Sequence, residues 1–246
     1  MIAVIDSGSG GANVIKECMK YYNEDFVYLV DNKNCPYGNK RVEEIKKILQ
    51  SNIQYLTNNF KLDLIIIGCN TASAILSNDE IEQINVPVIK TKPNMSSLTS
   101  NSNVACIFAT KNTIKHSKYV RYYLYNYKNI KTLCIKNLPK CIDDKIATKI
   151  IKNEEKIQKK LKNGLIFRKN LQKHCKNIAL GCTHFKHITK QIESVFNSNI
   201  VFCECEKQVA FLSRFFIRKS KNHSSVRVIL TKQNLDLHKS ICDLLL

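Results

Sequence analysis

The strongest constraint on the fold is a pattern written twice. Asp63-Leu64-Ile65-Ile66-Ile67-Gly68-Cys69-Asn70-Thr71-Ala72-Ser73-Ala74 returns as Lys176-Asn177-Ile178-Ala179-Leu180-Gly181-Cys182-Thr183-His184-Phe185. Each is a short apolar run, which reads as a buried strand. Each run ends in Gly-Cys, and a small hydroxyl-bearing residue then opens what is expected to be a helix. The cysteines stand 113 positions apart (182 − 69), about the span of one domain.

Strands are predicted over 2–5, 26–30, 62–67 and 86–89, then again over 104–109, 131–135, 177–180, 200–202 and 226–230. Between them, Val42, Ile45, Ile48, Leu49, Ile53, Leu56 and Phe60 recur at helical spacing. Further helices are expected from 11 through Cys18, through 114–127, over much of 142–174 with a break near Gly164, after Cys182, over 209–217 and from 235. Strands alternating with helices imply right-handed crossovers and parallel sheets, an α/β architecture. The polar stretch 91–103, with Pro93, is read as a domain crossing.

The length of 246 residues suits one large domain or two of about 120. No apolar run approaches the roughly 18 residues of a membrane span, and the first apolar segment stops at Asp6 without a basic flank. A soluble, cytoplasmic protein with no membrane partner is expected. The eleven cysteines are odd in number and several sit in apolar-periodic contexts, which favours reduced thiols over a disulfide scaffold. The net charge of +19 raises nucleic acid as a partner, but the lysines are spread over nearly every segment. That dispersion favours a solvated basic surface instead.

In an open parallel sheet, ligands bind beyond the carboxyl ends of the strands. Asp6, Asp31, Cys69, Thr110 and Cys182 all fall just past such ends. A cysteine opening a helix has its thiolate favoured by the dipole and by free N–H groups, so it can act as base or nucleophile. For either cysteine alone a packed structural thiol is the favoured explanation, but it explains the matched pair poorly. Asp6-Ser7-Gly8-Ser9-Gly10-Gly11 offers a turn whose glycines allow close backbone approach, for an anion or simply for a tight turn. His184 could polarise Cys182 or cap a helix; Thr71 and Thr183 could be N-caps, and Pro36-Tyr37-Gly38 a turn. A metal site, from Cys182, His184 and His187 or from Cys203-Glu204-Cys205, is the rival reading, but neither group has the usual C-x2-C spacing. No metal is expected.

The set Asp6-Ser7-Gly8-x-Gly10-Gly11, Pro36-Tyr37-Gly38, Cys69-Asn70-Thr71-Ala72-Ser73-Ala74, Thr110-x-x-Thr113-x-x-x-Ser117 and Gly181-Cys182-Thr183-His184 resembles the glutamate racemases of the aspartate/glutamate racemase superfamily. The resemblance implies two similar α/β domains facing each other across an active-site cleft, one formed by 1–92 plus 207–246 and the other by 93–206. It implies cofactor-independent racemisation of a small-molecule amino-acid substrate, L- and D-glutamate, supplying D-glutamate for peptidoglycan. By position, Cys69 would serve the D enantiomer and Cys182 the L enantiomer, with Asp6 and His184 as auxiliaries. Ser7, Asn70, Thr71, Thr113 and Thr183, with Pro36, Tyr37 and Gly38, would hold the substrate, and a homodimer is compatible with the family. The chain departs from the pattern at Ser9, where Val is usual, and in Asn32-Lys33-Asn34-Cys35 before Pro36. It lacks the mid-chain Pro-Leu-x-Glu element, for whose acid Asp143 or Asp144 is the nearest substitute, and Glu204 falls near a usual Asp. A racemase for aspartate or another small acidic amino acid, or a non-catalytic homologue that binds a ligand, are the alternatives.

Overall fold

The computed structural model describes residues 1–95, 98, 104–149, 151–196, 200–217 and 222–246. Its strands are β1 (Ile2–Asp6), β2 (Asp25–Val30), β3 (Leu64–Ile67), β4 (Val88–Lys90), β5 (Val104–Ala109), β6 (Ile130–Leu133), β7 (Cys175–Gly181), β8 (Val201–Cys203) and β9 (Ser225–Leu230). The α-helices are α1 (Gly11–Met19), α2 (Val42–Asn59), α3 (Asn70–Ile75), α4 (Asn78–Glu82), α5 (Lys111–His116), α6 (Lys118–Asn126), α7 (Leu138–Thr148), α8 (Ile151–Leu165), α9 (Lys169–His174), α10 (Thr189–Glu193), α11 (Glu206–Ser213) and α12 (Leu235–Leu245).

Two parallel sheets result, ordered β4-β3-β1-β2-β9 and β6-β5-β7-β8. The continuous apolar runs of β1 and β3 are buried at every residue, because helices cover both faces. Strands β6 and β9, at the sheet edges, are only partly buried. Strand β9 comes from the far end of the sequence and pairs in parallel with β2 from Asp25↔Ser225 to Val30↔Leu230. On α2, Ile45, Leu49, Ile53 and Leu56 are the buried stripe, spaced as one helical face requires. No helix among the described residues is long and apolar enough to cross a membrane.

Register brings reactive residues together. Ile5 of β1 pairs with Ile67 of β3, so Asp6 and the Gly68-Cys69 turn leave the first sheet side by side. In the second sheet Ala109 pairs with Gly181, which sets Thr110 beside Cys182.

Several expected bounds shift. The helix expected over 114–127 is two helices meeting at Ser117, which ends α5 and caps α6 by accepting from the Val120 N–H. The break expected near Gly164 is present, since α8 stops at Leu165 and α9 begins at Lys169; the glycine itself serves close packing, because a Cβ there would come within 2.8 Å of Ile135. Helix α4, not anticipated, starts with a capping box of Ser77 and Glu80, legible as Ser-x-x-Glu. The stretch 91–103 lies partly outside the described residues.

Candidate active site

The carboxyl ends of the two sheets face one another, and side chains from each bond across. Asp6 accepts from Thr183 Oγ1 at 2.8 Å, joining residues 177 apart in sequence. The Thr71 and Thr110 hydroxyls lie 2.8 Å apart, and Thr113 lies 2.9 Å from Thr110 and 3.3 Å from Thr71. Thr71 and Thr183 are therefore engaged in contacts between elements and do not cap helices; Thr110 does cap α5, through the Thr113 N–H.

The glycine turn is built for close approach. No glycine in the described chain has positive φ. A Cβ on Gly8 would fall 2.0 Å from Asp143 Oδ2 and 2.3 Å from His184 Nε2, and one on Gly10 would fall 2.3 Å from Thr183 Oγ1. Bare backbone is what lets the first sheet's turn touch the second sheet's loops.

Cys69 precedes α3, a helix of only six residues, and lies 3.8 Å from Ser7 Oγ. The sequence led to the expectation of a thiolate favoured by the helix terminus. Burial instead pushes the Cys69 thiol up to about 12, and the negative charges of Asp6 and Cys182 push the same way. The Ala72 N–H opposes these effects without overcoming them. Asp6, wholly buried, is itself raised by desolvation, against the pull of His184 and Thr183.

Around Cys182 the charge is reversed. The residue is followed by a 3-10 helix, Thr183–Ile188, and only then by α10, so the α-helix expected straight after it is displaced. Its sulfur lies 3.7 Å from His184 Nδ1, and His184 Nε2 lies 3.2 Å from Asp143 Oδ2. Burial alone would lower His184, but the Asp143 carboxylate and hydrogen bonds to Asp143, Cys182 and Cys35 raise it well above the usual histidine value. Burial would likewise raise Asp143; the His184 charge and hydrogen bonds from His184 and Ser9 outweigh it and hold the carboxyl below its usual range. The result is a buried imidazolium–carboxylate pair with one imidazole edge turned to sulfur.

Asp143 is braced from the first sheet. Its Oδ1 accepts from the Ser9 N–H at 3.0 Å and from Ser9 Oγ at 2.6 Å, while the Cys35 thiol donates to Oδ2 at 3.5 Å. The three sequence departures at Ser9, Cys35 and the mid-chain acid thus meet at one point. Of the two acids considered, Asp143 is buried in the site; Asp144 is paired with Lys140 at the surface, at 4.0 Å.

The rest of the pocket wall comes from the loop after β2. Asp31 accepts from Tyr37 Oη at 2.5 Å and Thr231 Oγ1 at 2.6 Å, and Asn112 donates to the Tyr37 carbonyl at 3.1 Å. These bonds hold Pro36-Tyr37-Gly38 against Thr110, whose Cβ would lie 2.7 Å from a Cβ on Gly38. Asn70 donates to Cys205 Sγ at 3.8 Å, while its buried Oδ1 has no partner among the described residues. His187 does not join Cys182; it lies 3.2 Å from Asn13 Nδ2, and burial and the His184 charge push it down to about 4. Glu204 pairs with Lys186 at 2.7 Å. Among the described residues, the group that could hold a metal is Cys35, Asp143 and His184, a set the sequence reading did not assemble.

No protein-family model matches the chain. A glutamate racemase of Buchnera aphidicola is 30% identical over 247 residues, covering 96% of this chain and 92% of the relative. The chain belongs to the glutamate racemase family. A Clostridium botulinum glutamate racemase is 31% identical over 92% of this chain and 86% of its own. The crystal structure of the Francisella tularensis glutamate racemase, in complex with D-glutamate, superposes with a TM-score of 0.77 at 25% identity, covering 99% of this chain and 92% of that one. Family membership makes the chain an amino-acid racemase, an isomerase, and the two parallel sheets match the architecture of glutamate racemase structures.

Proposed function

We propose that the protein interconverts L- and D-glutamate without a cofactor, using Cys69 and Cys182 as the two acid–base groups. The observation that carries this reading is the pair of buried thiols in opposite electrostatic settings, an acid beside Cys69 and an imidazolium beside Cys182. Inversion through a carbanion needs a base on one face of Cα and an acid on the other.

With L-glutamate bound, Cys182 takes the Cα proton as thiolate while His184 donates to its sulfur. Cys69, the group whose surroundings keep it protonated, delivers its proton to the opposite face, and D-glutamate forms. The enzyme is left with the protonation states exchanged, which is the form that accepts D-glutamate and runs the reaction back. Asp6 is the auxiliary of Cys69, its charge favouring the protonated thiol, and Asp143, braced by Ser9, keeps His184 charged. Ser7, Thr71, Thr113 and Thr183, the Asn70 side chain, whose Oδ1 has no partner among the described residues, and the Tyr37 and Gly38 N–H groups hold the amino and carboxylate groups. The two thiols lie between a domain of 1–92 plus 207–246 and a second of 93–206. D-glutamate made in the cytoplasm would feed peptidoglycan synthesis.

Purified protein incubated with L-glutamate in D2O, with no added cofactor, is expected to yield D-glutamate carrying deuterium at Cα. Neither product appearing would overturn the reading. The same incubation with L-aspartate decides the substrate.

A further inference from the structure

We propose that Cys35, Asp143 and His184 form a binding site for a thiophilic divalent cation of the zinc class. One thiol sulfur, one carboxylate oxygen and one imidazole nitrogen lie within 4.8 Å of one another. A tetrahedral zinc ion with ordinary bond lengths separates a sulfur and an oxygen ligand by about 3.5 Å, and a nitrogen and an oxygen ligand by about 3.3 Å. Cys35 Sγ and Asp143 Oδ2 are 3.5 Å apart, and His184 Nε2 and Asp143 Oδ2 are 3.2 Å apart. Two of the three donor spacings already match edges of the required polyhedron, and the third, between Cys35 and His184, is within 4.8 Å.

The supporting contacts a metal site needs are also in place. Asp143 turns Oδ2 to the site because Ser9 holds Oδ1 with two hydrogen bonds. His184 turns Nε2 to the site because Nδ1 faces Cys182. Asp143 and His184 are buried, whereas Cys35 is half-buried and gives the approach from solvent, leaving the fourth position to water. A thiolate, an imidazole and one carboxylate suit zinc or cobalt and do not suit magnesium or calcium, which take oxygen ligands. Binding releases two protons to solvent, one from Cys35 Sγ and one from His184 Nε2; the Nδ1 proton stays directed at Cys182. The ion would thereby remove the imidazolium from the pair with Asp143 and act as an inhibitor, a consequence that rests on the proposed racemase chemistry. The binding itself does not.

Cobalt(II) titrated into the full chain is the test, because a cysteine ligand announces itself by a thiolate-to-cobalt charge-transfer band, which zinc should displace. The band is expected in the wild type and in Cys134→Ala, an exposed thiol away from the site, and lost in Cys35→Ala and in the volume-conserving Cys35→Ser. Ser9→Ala should weaken zinc binding about 10- to 100-fold. No band in the wild type, or a band unchanged in the folded Cys35 variants, overturns the proposal. Zinc should also inhibit racemisation by the wild type and spare Cys35→Ala. A band that depends on Cys35 without any racemisation in the wild type would leave the site standing and remove the activity.

Discussion

The Cys69 half and the Cys182 half of the site are built from the same local grammar and reach opposite electrostatic states. Both cysteines follow a glycine at the end of a parallel strand, β3 buried throughout and β7 buried at every residue but Lys176. Yet Cys69 faces the carboxyl group of Asp6, and Cys182 faces a histidine charged by Asp143. A strand end places a thiol; it does not choose its proton. That choice is made by the charge placed beside it, Asp6 from the neighbouring strand of the same sheet for Cys69 and, for Cys182, a histidine charged by Asp143 from a distant helix, where low dielectric magnifies the effect.

The largest expected effect tests this division directly. Replacing either Cys69 or Cys182 with alanine should lower two-way racemisation about 10²- to 10⁴-fold. Each variant should still exchange the Cα proton of one enantiomer with solvent, Cys69→Ala that of L-glutamate and Cys182→Ala that of D-glutamate. Deuterium wash-in measured separately on the two enantiomers reads it. Equal exchange of both by either variant would erase the distinction between the halves.

A smaller effect should follow from Asp143→Asn. Without the carboxylate, burial moves the His184 titration downward, so the imidazolium is lost at lower pH. Turnover of L-glutamate is expected to fall about 10- to 100-fold near neutral pH and to recover partly toward pH 6, whereas the wild type shows no such recovery. A pH-independent loss would assign Asp143 a packing role only.

The smallest effect concerns stability. Below the unperturbed thiol value of roughly 8.5, Cys69 holds its proton in both folded and unfolded chains. Between there and about 12 the unfolded chain ionises and the folded one resists, so stability falls as pH rises, by about 1.4 kcal/mol per unit for this one thiol. Cys35, pushed up to about 12 by burial and by Asp143, adds a loss of the same sign. Thermal melts between pH 8 and pH 10 should show a shallower decline for Cys69→Ala than for the wild type. Parallel declines would mean that Cys69 titrates normally when folded.

Much of the fold was legible because it is written locally. The run Val104–Ala109 reads as a strand and is one, and the stripe of Ile45, Leu49, Ile53 and Leu56 reads as a helix face and is buried as such. The family resemblance read from the motifs is borne out by the relatives. Expectation slipped at helix starts: Ser117 ends one helix and caps the next, and a 3-10 helix takes the place of an α-helix after Cys182.

The site was legible only in part. The residues at strand ends, Asp6, Cys69, Thr110 and Cys182, could be singled out from the order of apolar runs. Asp143 could be noticed only as a weak substitute for a missing acid, since nothing beside it in the sequence marks it as buried. Cys35 and Ser9 registered as departures without a shared meaning.

The sequence by itself determined which segments become strands and that each sheet would end in a cysteine, because apolar periodicity acts over neighbouring residues. The tertiary structure decided that Ser9 would brace Asp143 across 134 positions, that Asp143 would charge His184, and that the groups beside the two thiols would carry opposite charge. Those outcomes depend on which loops two packed sheets press together, and on the loss of water between them, which no local pattern encodes.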